Sequence, residues 1–214
     1  RADVDASRED RATAVLRAAW SDLEAALDRE LPGWRQRRVG VALATSSGGM
    51  RGAERVFRAL HEGRAIDAET GRQATYFAPM VDVVAERKLA PSTLVLTACS
   101  ASTIAIGLGL GWLERGACDL VIAGGFDAVS VFVASGFEAL RATTARLPSR
   151  PFGAERDGMA LGEGAALLAL VRAAETAPAR TLGYVDGFGA SGDAVHVTAP
   201  DRTGACLARA ARSA

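Results

Sequence analysis

Lysine is almost missing from this chain: Lys88 stands alone, and arginine carries nearly all of the positive charge, a bias of codon usage rather than of chemistry. The 25 basic and 25 acidic side chains cancel, so the sequence lacks the basic footprint of a nucleic-acid binder. Cysteine is scarce too. Cys99, Cys118 and Cys206 are odd in number, far apart and form no C-x-x-C pair. That excludes a disulfide framework and a zinc site and points to a reducing, cytoplasmic compartment. No apolar run approaches the ~18 residues of a membrane span. Residues 1 to 30 are charged and helical in pattern, unlike a secretory signal. Repeats, low-complexity tracts and linkers are absent, so residues 1–214 read as one domain, long enough for a substantial core.

What is present is an alternation of apolar stretches. Residues 8 to 31 carry Ala14, Leu16, Ala19, Trp20, Leu23, Ala26 and Leu27 at helical spacing, closed by Leu31-Pro32-Gly33. Strands are expected at Arg38–Ser46, Thr93–Thr97, Asp119–Ala123, Ala165–Val171 and Thr181–Phe188. Helices are expected over 51–62, 77–88, part of 126–140, and from about Arg202 onwards, with 64–76 irregular. Strands alternating with helices imply an α/β fold with a mostly parallel sheet, flanking helices, and sites at the strand C-termini.

The stretch Ser92 to Gly116 organises the rest. A short buried strand runs into Cys99, and a helix follows with Ile104, Leu108 and Trp112 four apart on one face. Gly116 sits where a helix C-terminus favours it. A cysteine on a sharp strand-to-helix turn stands among free backbone N–H groups at the positive helix end. That setting favours thiolate over thiol and offers donors to a developing oxyanion. Cys99 is therefore the candidate nucleophile, while Cys118 and Cys206 read as structural.

The residues around Cys99 carry a family resemblance. T-A-C-S-A-S (97–102) followed by a small-residue helix resembles the active-site segment of β-ketoacyl synthases, the condensing enzymes of fatty acid and polyketide synthesis. D-L-V-I-A-G-G-F-D-A (119–128), S-G-F-E-A-L-R-A (135–142), R-P-F-G-A-E-R-D-G-M-A-L-G-E-G-A (150–165) and G-A-S-G-D-A-V-H-V-T-A-P (189–200) resemble further segments of that family in the same order. The resemblance implies a thiolase-like layered α/β fold, of which this chain would be one half of the duplicated pair, incomplete at both ends.

It also implies an acyltransferase. Cys99 would take an acyl group from a carrier-protein or CoA thioester. Malonyl on acyl carrier protein would then lose CO2, and the carbanion would attack the acyl-cysteine. Splitting one hard step in two is what covalent catalysis achieves. No metal and no cofactor is called for. The partners implied are acyl carrier protein, the acyl- and malonyl-thioester substrates, and either a second copy or a related ketosynthase-like subunit; nucleic acid and membrane are not among them. Family members use two histidines and a lysine in the second half of the fold, and His61 and His196 do not fill those places. His61 reads as a surface residue on its helix. His196 falls in a family loop and reads as structural or as the edge of the pocket.

By the same resemblance Phe137 becomes a wall of the acyl pocket, and Phe77 and Met80 its far end across a dimer interface. Arg156, Asp157 and Glu163 read as an ion-pair network holding a glycine-rich loop rather than as an acid–base cluster. Gly124-Gly125 is not a phosphate loop, since no G-x-G-x-x-G follows. A chain-length-factor-like, non-catalytic partner subunit is the alternative, and a nucleophilic cysteine argues against it. A cysteine hydrolase is disfavoured because T-A-C-S-A is not the G-x-C-x-G elbow. The segment T-Y-F-A-P-M-V-D-V-V-A-E-R (75–87) has the flavour of polyene-type ketosynthases.

Overall fold

The computed structural model describes residues 10–175, 181–196 and 199–214. The charged opening stretch 1–9 and, within the 189–200 motif, Val197 and Thr198 lie outside the described residues. Four strands form one open sheet in the order β2-β1-β3-β4, with β1 at Val39–Ala44, β2 at Ser92–Val95, β3 at Leu120–Asp127 and β4 at Gly164–Leu170. β1 and β2 are parallel, Val41 facing Ser92 and Ala44 facing Val95. Asp119 meets Arg38 where β3 and β1 begin, and Asp127 meets Thr45 where they end, so these two strands also run together. β4 runs the other way, because Arg172 just past its end reaches Cys118 and Asp119 at the start of β3. The sheet is thus mixed, with three of its four strands parallel, in an α/β architecture.

Seven helices accompany the strands among the described residues: α1 Arg11–Glu30, α2 Met50–His61, α3 Ala68–Gln73, α4 Ala78–Val84, α5 Ala101–Glu114, α6 Val131–Ala139 and α7 Ala205–Ser213. The chain divides into two compact units interleaved along the sequence. The first takes the described part of Arg1–Asp22 with Thr45–Lys88 and Gly125–Leu167; the second takes Leu23–Ala44, Leu89–Gly124 and Leu168–Ala214.

In the first unit, the start of α1 buries Leu16 and Trp20 completely. Removing side chains of this size from water stabilises by about 1.5–3 kcal/mol each. Asp10 caps this helix, accepting from the Ala12 N–H at 2.9 Å. The Arg87 guanidinium lies over the Trp20 ring, 5.2 Å from its centre. α3 falls within the stretch expected to be irregular. Its signal is Asp67, whose carboxylate accepts from the Thr70 N–H at 2.7 Å and starts a short helix that hydrophobic periodicity does not reveal.

In the second unit, α5 packs on β1 and β2 through its smallest residues. Ala101, Ala105, Gly107, Gly109 and Leu113 are its buried positions, and of these Ala101, Ala105 and Leu113 join Ala42, Ala44, Val95, Cys118, Val121 and Ala123 in one cluster. The stripe of Ile104, Leu108 and Trp112 is not the buried face: Leu108 is exposed, and Ile104 and Trp112 pack only at the margin of the cluster. A glycine–alanine face brings a helix axis closer to its neighbour than a face of branched side chains can. At Gly107 this is extreme, since a Cβ there would lie 2.4 Å from the Phe188 ring.

Thr181–Phe188 is not a strand. A strand requires a neighbouring ladder, and this segment is irregular, exposed over 181–186. Just beyond, Gly187 and Gly189 lie against the carbonyls of Ala214 and Ala210 in α7. No helix among the described residues is long and apolar enough to cross a membrane.

At the start of β3, Asp119 accepts from Arg38 Nη2 at 2.6 Å and Nε at 3.0 Å and from Arg172 Nη2 at 3.2 Å. The Arg38 hydrogen bonds hold its carboxyl well below the usual carboxylate range, with a smaller contribution from Arg172. A depressed pKa contributes stability above the unfolded value, about 3.9, and loses it as acid titrates the folded group. Asp119→Asn is expected to lower the urea midpoint at neutral pH, with the gap to wild type closing below about pH 4. Gly107→Ala gains about 1 kcal/mol in helix propensity but collides with Phe188, and overpacking costs about 1–3 kcal/mol. Its melting temperature should therefore fall; a rise would show that the α5–Phe188 contact is loose.

Candidate active site

β2 ends at Val95, which is buried, and the chain turns outward through Leu96 and Thr97. Ala98 then adopts φ +49, the left-handed region. For alanine this costs about 1–2 kcal/mol, so the turn is held by its surroundings rather than by local preference. A short 3-10 turn, Ala98–Ser100, carries Cys99 directly into α5 at Ala101. Ser100 tightens it, its N–H donating to the Thr97 carbonyl at 3.3 Å and its hydroxyl to the same oxygen at 2.8 Å. Cys99 is a free thiol and exposed. It thus stands two residues before a fourteen-residue helix, at the end where N–H groups lack intrahelical partners and the dipole is positive.

The other cysteines differ. Cys118 is free and fully buried against Gly40 and Trp112, and burial pushes its thiol pKa up. Cys206 sits on α7, 3.2 Å from Arg209 Nη2.

The candidate pocket residues fall in different places. Cys99 and His196 belong to the second unit, and Phe77, Met80 and Phe137 to the first. His196 is exposed, and its Nδ1 accepts the Ala199 N–H at 3.0 Å. His61 is exposed on α2. Phe77 precedes α4 and is 53% exposed, whereas Met80, one turn on, is buried. Phe137 is half-buried on α6, a helix with no fully buried residue. Beside it opens a shallow cleft of about 690 Å³, lined by Val129, Ala134, Ser135, Glu138, Ala139, Thr143, Thr144, Met159, Ala160 and Leu161. Neither Phe137 nor Cys99 lines it.

Arg156, Asp157 and Glu163 do not form one network. Glu163 pairs with Arg11 of α1 at 2.8 Å with both side chains largely buried, and these hydrogen bonds lower its pKa. Asp157 is bound by the Thr144 hydroxyl and by Arg146 at 3.7 Å, while Arg156 donates to the Gly153 carbonyl. The single ion-pair network expected from sequence is replaced by separate pairs. Among the described residues no group of three His, Cys, Asp or Glu side chains is placed to hold a metal ion.

One cluster is not evident from sequence. β3 does not stop at the double glycine; it continues through Gly124, at φ +155, to Asp127. The Asp127 carboxylate accepts from the Thr45 hydroxyl at 2.8 Å, the Ser46 N–H at 3.0 Å, and the Ser47 N–H and hydroxyl at 2.8 Å each. Thr45 Oγ1 accepts in turn from the Gly48 N–H at 2.7 Å. The available signal was a run of hydroxyl residues leaving one strand and an acid leaving another.

The model of the β-ketoacyl synthase N-terminal domain matches residues 5–176. The chain belongs to the β-ketoacyl synthase family. It is 31% identical over 195 residues to 3-oxoacyl-[acyl-carrier-protein] synthase 2 of Staphylococcus aureus, covering 83% of this chain and 46% of that protein. It is also 31% identical over 202 residues to putative polyketide beta-ketoacyl synthase 1 of Streptomyces virginiae, covering 86% and 48%. Among solved structures it resembles the ketosynthase ApeO in complex with its chain length factor ApeC from Xenorhabdus doucetiae. There the TM-score is 0.78 at 27% identity, over 95% of this chain and 51% of that one. The fold is accordingly the thiolase-like fold of ketosynthases, and the chain spans about half the length of the curated relatives it matches.

In this ketosynthase-family chain the three thiols differ in exposure, Cys99 being exposed and Cys118 buried. Iodoacetamide should alkylate Cys99 at least about tenfold faster than Cys118 in the native protein, and the difference should vanish in denaturant. Peptide mapping at short times checks this; equal native labelling would remove Cys99 from its privileged position.

Proposed function

We propose that this chain supplies the acyl-accepting half-reaction of a β-ketoacyl-acyl-carrier-protein synthase in fatty acid or polyketide synthesis. The observation that carries the reading is the exposed Cys99 thiol on the turn between β2 and α5, within the family-matched region. The sulfur attacks the carbonyl of an acyl thioester, the negative charge moves onto oxygen, and the carrier thiolate leaves. One thioester replaces another, so the step is close to balanced in free energy, and this reading assigns N–H groups at the helix start as donors to the oxyanion. Decarboxylation of malonyl carrier protein then gives a carbanion that attacks the acyl-cysteine carbonyl. A β-ketoacyl thioester forms and the Cys99 thiolate is released.

Phe137, Phe77 and Met80 take the role of acyl-pocket walls in this reading, and His196 that of a residue at its edge. The carrier is an acyl carrier protein. The second subunit is another copy or a related ketosynthase-like chain, in keeping with the ketosynthase–chain length factor pairing of the Xenorhabdus relative. A cytoplasmic, reducing setting keeps Cys99 a free thiol. The other reading, a non-catalytic chain-length-factor-like subunit, draws on that same pairing but gives Cys99 no work.

The two readings separate by mass. The complete protein incubated with an acyl thioester is expected to gain one acyl group, mapped to Cys99, and Cys99→Ala should gain none while keeping its melting temperature. Cys99→Gln should still release CO2 from malonyl carrier protein without forming condensed product. An adduct persisting in Cys99→Ala would refute the assignment, and no adduct on wild type would favour the non-catalytic subunit.

A further inference from the structure

The turn Thr97–Ser100, which presents Cys99, is closed by a serine that is turned away from the task its position suggests. Ser100 stands at the N-cap of α5, where a serine hydroxyl ordinarily accepts from the N–H groups of the first turn. It makes no such bond, and its own backbone is already helical, at φ −88 and ψ −3. The hydroxyl donates backwards instead, to the Thr97 carbonyl at 2.8 Å. The Ser100 N–H donates to the same oxygen at 3.3 Å. Both bonds close the chain around Ala98 and Cys99. Ala98 is held at φ +49, a conformation that turns usually assign to glycine. The penalty for alanine there and the net worth of one hydrogen bond are of the same size. With the two in balance, losing one donor is enough to open the turn for part of the time. Thr97–Ser100, β2 and α5 all belong to the second unit.

We propose that Ser100 is a positioning residue for Cys99: its back-turned hydroxyl closes the Thr97–Ser100 turn and so holds the sulfur at the start of α5. The inference rests on the ketosynthase reading for its consequence in acyl transfer, while the placement of the thiol is independent of that reading. Ser100 acts through the turn and takes no part in making or breaking a bond. An open turn swings Cys99 away from the positive end of the helix dipole, whose effect fades within one turn. It also moves the sulfur relative to a bound thioester, and a misplacement of about an ångström costs rate. A hydroxyl engaged as an ordinary helix cap would leave the Thr97 carbonyl with the N–H alone and the strain at Ala98 unopposed. One short side chain can clasp the turn or cap the helix, and here it clasps the turn.

The test uses the complete protein and reads Cys99 by mass after exposure to iodoacetamide or to an acetyl thioester. Ser100→Ala is expected to slow native alkylation of Cys99 roughly two- to fivefold. It should lower the maximal rate of acyl transfer about three- to tenfold, with the half-saturating concentration unchanged. Alkylation of Cys118 should keep its wild-type rate, which separates a displaced thiol from a loosened fold. Ser100→Thr, which keeps the hydroxyl, should restore most of both rates. Glycine accepts a positive φ without penalty, so in an Ala98→Gly background the loss on Ser100→Ala should shrink below about twofold. Wild-type rates in Ser100→Ala, equal losses in both backgrounds, a loss confined to half-saturation, or faster labelling of Cys118 each overturn the proposal. A wild-type protein that is alkylated at Cys99 but takes no acyl group overturns the ketosynthase reading, and the alkylation rates then decide the role of Ser100 by themselves.

Discussion

The approach of α5 to the sheet is the constraint from which the rest follows. Because Ala101, Ala105, Gly107 and Gly109 face inward, the helix can lie within contact of Val121, Leu170 and the Phe188 ring. The first turn of a helix seated this closely has little freedom, and Cys99 enters it from a strand anchored at Val95. The unfavourable backbone of Ala98 is tolerated between these two fixed points. The thiol thus stands between a buried strand end and a closely packed helix.

The two ends of the sheet are secured by different chemistry. Where β1 and β3 begin, guanidinium groups meet a carboxylate near solvent, so the contact is sensitive to acid and screened by salt. Where they end, a carboxylate meets N–H groups and hydroxyls. The first arrangement registers strands. The second shapes a loop at the C-terminal edge of the sheet, where sites of open α/β sheets gather.

Much of this was legible in the sequence. The strand–Cys99–helix handover, the two central strands, the C-terminal end of α1, the bounds of α2 and the family itself follow from periodicity and motif. Other features depend on information that periodicity omits. The inward face of α5 does not coincide with the Ile104, Leu108 and Trp112 stripe, because closeness of packing selects the smallest residues. α3 rests on one capping aspartate. Thr181–Phe188 has the composition of a strand but no ladder to join. Asp127 is a long-range feature, 80 residues from Ser47, and pairs at such separation leave no trace in a local window. The separate partners of Arg156, Asp157 and Glu163 are likewise a matter of tertiary neighbours, Glu163 finding Arg11 across 152 positions.

The interleaving of the two units has a consequence for biosynthesis. Each draws on three stretches of chain, the first complete only at Leu167 and the second only near Ala214. Neither can close before β4 has been made, although the apolar strands β1 and β3 are complete well earlier. Contacts of such long sequence separation form slowly, so the nascent chain carries unpaired strand edges until the later stretches of each unit have followed.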